Sequence, residues 1–313
     1  MKNKVKMEEL DKEKMRGINN LDIKQAIYRD ANGILVPAYD SDFKPNKDAK
    51  AIIYINGSQL DHYKPNGSII GINSFFCKNV LKKQKVFNFG TFAPMLSDYG
   101  AFGHKGDLYD INHIPYVFKY IIEKDSDGVK QFSTSLKKAL LQLQKEAILV
   151  GKSYGGVIAS YAYEAPEVSK IMAINASYLG TPLADPDIMT KFKPYLPHIV
   201  SMIASKIILE ADRNFTYENA RGFEIPKTEK LNIYGGSIKN DKATNPNELL
   251  MKYGYETIYR ITGKENDGVV IWNKELLEKS GNNVIELDRP FHHRTQQSEY
   301  LEETFVKTLK MKR

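Results

Sequence analysis

The chain has 313 residues, with 45 Lys and Arg against 38 Asp and Glu, for a formal net charge of +7. That length suits two average domains or one large α/β domain, and either can bury a core without disulfides or structural metal. With 42% hydrophobic residues, 27% charged residues and one cysteine, Cys77, the composition excludes a disordered tail, a membrane bundle and a disulfide-rich scaffold. The basic excess is scattered, with no aromatic–basic interleaving, so a lysine-rich solvated surface is expected rather than a nucleic-acid reader. No apolar run reaches the roughly 18 residues of a membrane span. The basic start, residues 1–16, has no signal-peptide core, so a cytoplasmic protein is the expectation.

In chain order, residues 1–22 are polar and read as a leader. Residues 23–43 read as strand pieces around the turn Asp30-Ala31-Asn32-Gly33. Residues 51–55 are a continuous apolar run, as in a buried parallel strand, and end at Asn56-Gly57-Ser58. A second run at 85–92 predicts another strand, and 93–114 is irregular. Over 126–144, Val129, Phe132, Leu136, Ala139, Leu140 and Leu143 recur at helical spacing. A short buried strand is predicted at 147–150, a helix at 157–163 and a strand at 170–174, followed by Gly180-Thr181-Pro182. Prolines 186, 194, 197 and 226 break the alternation over 183–227. Within that stretch, 195–209 has helical apolar spacing, so the segment reads as an inserted cap near a site. Strands are expected again at 231–234, 257–261 and 283–287, with a last helix over 299–309. Strands alternating with helices imply a mostly parallel sheet with helices on both faces. Residues 1–50 then form a leader and early strands, and 51–313 the main domain.

Gly151-Lys152-Ser153-Tyr154-Gly155 carries the chemistry. The bare GxSxG string is weak, but here a buried strand precedes it and a helix of small residues follows. That is the context of a nucleophile elbow, whose tight turn needs small residues two places either side of the serine. The serine then projects beyond the strand end, and the helix N-terminus favours negative charge there. Gly151-Lys152-Ser153 also matches the tail of a phosphate loop, but that pattern needs glycine where Glu146 stands.

Serine is a poor nucleophile without a base, and the base needs a carboxylate to orient it. The segment Glu265-Asn266-Asp267-Gly268-Val269-Val270 offers an acid in a turn-rich loop. Phe291-His292-His293-Arg294 offers a base just after the last expected strand. Asp98, His104, Asp107, Asp110 and His113 crowd the irregular stretch, but their spacing matches no metal signature. No metal and no cofactor are expected, and Cys77 reads as a small core residue.

Together, Gly151 to Gly155, Gly180-Thr181-Pro182 and Asn266-Asp267-Gly268-Val269-Val270 make the chain resemble the α/β-hydrolases, more narrowly the bacterial lipases and serine esterases. The resemblance covers residue 51 to the end. It implies the α/β-hydrolase fold with an inserted helical cap, and a catalytic triad. Ser153 maps to the nucleophile, Asp267 to the acid, and His293 or His292 to the base. His293 is favoured because Arg294 onward reads as the run into the last helix. Asp241 is the rival acid, since it follows the 231–234 strand more closely. By position, the backbone N–H groups of Ser58 and Tyr154 would form the oxyanion hole. Asn56-Gly57 departs from the His-Gly usual in such lipases, and Lys152 stands where many relatives carry histidine. The implied activity is hydrolysis of carboxylic esters through an acyl-enzyme, with a small-molecule ester or lipid as substrate. The rate would rise with pH as the base becomes neutral. The alternative is a catalytically inactive hydrolase fold that binds a ligand or partner.

Overall fold

In a computed structural model of the chain, the described residues are 25–37, 44–55, 57, 61–63, 69–71, 113–120, 128–192, 224–239, 246–287 and 293. The early strand pieces form the hairpin of β1 (Tyr28–Arg29) and β2 (Gly33–Pro37). Asp30 closes its turn, with Oδ1 accepting the Asn32 and Gly33 amides at 2.7 and 2.9 Å. A short carboxylate side chain reaches its own backbone in this way, which is why Asp favours turns. The same oxygen accepts the Ser135 hydroxyl at 2.8 Å and pins the hairpin to a helix.

β3 (Lys50–Ile55) is the expected buried strand. After it come a small separate hairpin, β4 (Asp61–Tyr63) and β5 (Ile69–Gly71), and then β6 (His113–Tyr120). Helix α1 (Gly128–Leu143) leads into β7 (Ala147–Lys152), and helix α2 (Tyr154–Tyr161) into β8 (Val168–Ile174). A 3₁₀ turn at Pro182–Ala184 and helix α3 (Pro186–Phe192) follow β8. The Asp185 carboxylate caps α3 by accepting the Asp187 and Ile188 amides at 2.9 and 3.1 Å. β9 (Leu231–Gly235), helix α4 (Pro246–Thr262), helix α5 (Lys274–Glu278) and β10 (Asn283–Glu286) complete the order.

Eight strands form one sheet in the order β1-β2-β6-β3-β7-β8-β9-β10. β1–β2 and β2–β6 pair antiparallel, and every pairing from β6 to β10 is parallel. Every residue of β7 is buried. Ala51, Ile53, Ile55, Leu149, Ile171 and Ala173 pack with α1 and α2 in one cluster. The alternate residues Ile52, Tyr54, Ile148, Val150, Met172 and Ile174 are buried as well, so both faces of the sheet are covered. Among its described residues, no helix is long and apolar enough to cross a membrane.

The hairpin β4–β5 and the short helices α3 and α5 have no counterpart in the expected elements, and two further elements differ for a physical reason. β6 begins at the end of the stretch expected to be irregular, and it contains Pro115, a residue that local pattern disfavours inside a strand. Pro115 pairs with Ile52 of β3 but lies beyond the last β2 pair, Pro37 with Tyr116, so the proline stands where only one neighbour flanks the strand. Residues 257–261 are not a strand but the end of α4. The β-branched Thr257, Ile258 and Ile261 favour strands. Burial at 251, 254, 257 and 258 has helical spacing, and tertiary packing overrides the local preference. The strand expected over 85–92 and the helices expected over 195–209 and 299–309 lie outside the described residues.

Candidate active site

Ser153 occupies the single residue between β7 and α2. Its backbone has φ 54° and ψ −125°, a region that residues with a Cβ enter only under constraint. The constraint is packing. A Cβ on Gly151 would lie 2.3 Å from the Gly155 carbonyl oxygen, so strand and helix can meet this closely only through glycine. The Ser153 N–H donates to the Ile174 carbonyl at 3.0 Å, and the Ser153 carbonyl accepts the Gly156 N–H at 3.0 Å. The Ser153 hydroxyl is not spent on capping α2. Gly57, after β3, stands against it: a Cβ there would lie 2.8 Å from Ser153 Cβ and 3.2 Å from Oγ. Tyr154 opens α2, with its ring buried among Tyr120 and Phe132.

The loop that carries Asp267 is also tightly constrained. Asp267 is fully buried. Its Oδ1 accepts the Val269 and Val270 amides at 3.0 and 2.8 Å, and its Oδ2 lies 2.7 Å from His293 Nδ1. The His293 N–H also donates to the Asp267 carbonyl at 3.0 Å. Both carboxylate oxygens are therefore engaged, and His293 is held at two points, its ring by the carboxylate and its backbone by the Asp267 carbonyl. Asn266 braces the loop: its amide donates to the Tyr255 and Lys264 carbonyls and accepts the Gly268 N–H. The Ile238 N–H donates to the Asn266 carbonyl at 3.2 Å, and the Ile271 N–H to the Gly180 carbonyl at 3.4 Å. The loop is thus tied to the chain after β9 and to the Gly180-Thr181-Pro182 turn.

Of the predicted residues, Ser153 and Tyr154 share the turn after β7, and Asp267 and His293 are hydrogen-bonded to each other. Ser58, Asp241 and His292 lie outside the described residues, as do residues 193–223 of the cap expected over 183–227, Cys77 and all of the 98–113 cluster except His113, the first residue of β6. Among the described residues, no group of three or more His, Cys, Asp or Glu could hold a metal ion.

No protein-family profile matches the sequence, and no curated protein matches it. The fold does match solved structures. The Bacillus licheniformis lipase BlEst2 in mature form is similar over 90% of this chain and 99% of that one, with TM-score 0.52 and 14% identity. Its propeptide form is similar over 91% of this chain, with TM-score 0.50 and 16% identity, and this chain spans 55% of that longer one. The chain has the α/β-hydrolase fold. Within this fold, Ser153 follows the carboxyl end of β7, and the Asp267 loop is tied to the chain that follows the carboxyl end of β9, the side where open α/β sheets place their sites.

Two supports were not legible in the sequence. Gly254 in α4 lies against the acid loop, where a Cβ would stand 2.1 Å from the Gly268 carbonyl oxygen. Gly254→Ala gains about 1 kcal/mol of helix propensity but forces an overpacking cost of about 1–3 kcal/mol on backbone. We expect a lower melting temperature in thermal denaturation. Glu265, two residues before Asp267, accepts hydrogen bonds from Ser237 Oγ (2.7 Å) and Tyr255 OH (3.1 Å) and pairs with Lys239 at 3.0 Å. Burial raises the Glu265 carboxyl, but bonds from Ser237, Lys239 and Tyr255 and the Lys239 charge outweigh it and hold it below its ordinary value. Burial and Glu265 push the Tyr255 phenol up to about 12. A depressed carboxyl contributes stability above its unfolded pKa of about 4.3 and loses it as pH falls through the folded value. Glu265→Gln should therefore lower the melting temperature at neutral pH. The difference should close in acid, below about pH 4, in melts of both proteins across pH.

Proposed function

We propose that the protein is a serine hydrolase that cleaves carboxylic esters, with Ser153 as nucleophile, His293 as base and Asp267 as its orienting acid. The observation that carries this reading is the 2.7 Å contact between His293 Nδ1 and the fully buried Asp267 carboxylate. With Nδ1 committed to Asp267, Nε2 is the nitrogen free to take a proton. The strained Ser153 turn after β7 supports the same reading. Ser153 Oγ attacks the ester carbonyl carbon and passes its proton to His293. The Tyr154 amide, with that of Ser58, holds the oxyanion. His293 returns the proton to the departing alcohol, leaving an acyl group on Ser153. Water, activated by the same histidine, then releases the acid. The substrate is a small-molecule ester or lipid.

Intact-mass measurement after exposure to a fluorophosphonate, with peptide mapping, tests this directly. One adduct on Ser153 is expected. A folded protein that forms no adduct and hydrolyses no ester would overturn the reading in favour of a hydrolase fold that binds without turnover.

A further inference from the structure

Buried polar groups are nearly always hydrogen-bonded, and an exception in a native fold calls for a reason. Among the described residues, four buried side-chain atoms have no partner: Glu167 Oε2, Asn175 Nδ2, Asn175 Oδ1 and Ser177 Oγ. Glu167 lies just before β8. The other three share one turn just after it. Asn175 and Ser177 are 1% and 2% exposed. Both ends of the Asn175 amide are unpaired, so no flip of the amide removes the deficit. The same residue bears a backbone cost, with φ 42°. Asparagine tolerates the left-handed region better than most residues, yet it still pays there.

The position of this turn gives the cost a meaning. The Ser177 N–H donates to the Ser153 carbonyl at 3.4 Å, and the Asn175 N–H to the Tyr234 carbonyl at 2.8 Å. A Cβ on Gly235 would stand 2.6 Å from Asn175 Oδ1 and 2.3 Å from the Trp272 ring. The turn therefore lies between the Ser153 turn on one side and the end of β9 with Trp272 on the other. Its unpaired atoms are neutral, and together they can both donate and accept. They are too enclosed to meet a large ligand. A guest that matches is small, neutral, and itself both donor and acceptor.

We propose that the Asn175–Ser177 turn binds one buried water molecule, and that Asn175 and Ser177 are thereby positioning residues for the Ser153 turn. A buried water makes about three hydrogen bonds, which is what the unpaired atoms of this turn offer. The positioning role rests on the ester-hydrolase reading, whereas the water site does not.

Ser177→Ala decides the matter by the sign of its effect. Removing an orphaned hydroxyl takes away a desolvation cost, so the melting temperature would rise. Removing a water ligand leaves the water short of a bond, so it falls. We expect a fall of about 2 °C or more, with kcat for a short-chain nitrophenyl ester lowered severalfold at unchanged KM. A high-resolution crystal structure of the natural protein should show density for one water within hydrogen-bond distance of both side chains. A raised melting temperature, or a map without that density, would overturn the water site. An unchanged kcat would overturn the positioning role. A natural protein that hydrolyses no ester would defeat the hydrolase reading, while the melts and the map would still judge the water.

Discussion

Replacing Ser153 by alanine is expected to lower kcat for ester hydrolysis by about 10⁴- to 10⁶-fold, the range seen when a nucleophile is removed from a serine hydrolase. The fold should survive, because the Ser153 hydroxyl makes no capping bond to α2. Ser153→Gly separates chemistry from strain. It should be equally inactive, since it also lacks the hydroxyl. It should melt higher than the alanine variant. Glycine adopts φ 54° without the Cβ penalty, and the strain released is about 1–3 kcal/mol against about 1 kcal/mol of added backbone entropy cost. Parallel thermal melts and nitrophenyl ester assays on the two variants check both parts. Equal melting temperatures would mean that the strain released is no larger than the added entropy cost of about 1 kcal/mol. Retained turnover in either variant would remove Ser153 from the mechanism.

Asp267→Asn is expected to lower kcat by about 10⁴-fold while leaving the melting temperature nearly unchanged. The reason lies in how the two carboxylate oxygens are used. Oδ1 accepts the Val269 and Val270 amides, and an asparagine oxygen can do the same. Oδ2 faces His293 Nδ1, and there asparagine presents an N–H. That N–H makes Nδ1 an acceptor and leaves the proton on Nε2, which can then no longer take one from Ser153. Asp267→Ala should by contrast both inactivate and destabilise, because it leaves two buried amides without their acceptor. Steady-state kinetics and melts of the pair distinguish the two effects. If the asparagine variant kept most of its turnover, the base would be oriented by some other group.

Local pattern alone carried the β3, β7, β8 and β9 strands, because each is a short run buried on both faces and needs little context. The same holds for α1, whose buried residues Val129, Phe132, Leu136, Ala139 and Leu140 lie at helical spacing. The GxSxG turn was legible for a related reason. Close strand–helix approach demands glycine at fixed offsets, and Gly151 and Gly156 meet that demand. Where two local signals conflicted, the pattern failed. Pro115 masked β6, and the β-branched residues of 257–261 imitated a strand inside α4. Both conflicts are resolved by neighbours distant in sequence, which propensity does not register.

The sequence by itself determined the α/β alternation, the serine turn and two short segments that could supply an acid and a base. Only the tertiary structure decided that Asp267 and His293 meet, since 26 residues separate them and only the folded loop brings their side chains within 2.7 Å. It alone also set Gly254 against the Gly268 carbonyl, gathered Ser237, Lys239 and Tyr255 around Glu265, and left the Asn175 and Ser177 side chains buried with no protein partner. These are properties of contact between segments far apart in the chain, and a one-dimensional pattern reports only what neighbours along the chain require of one another.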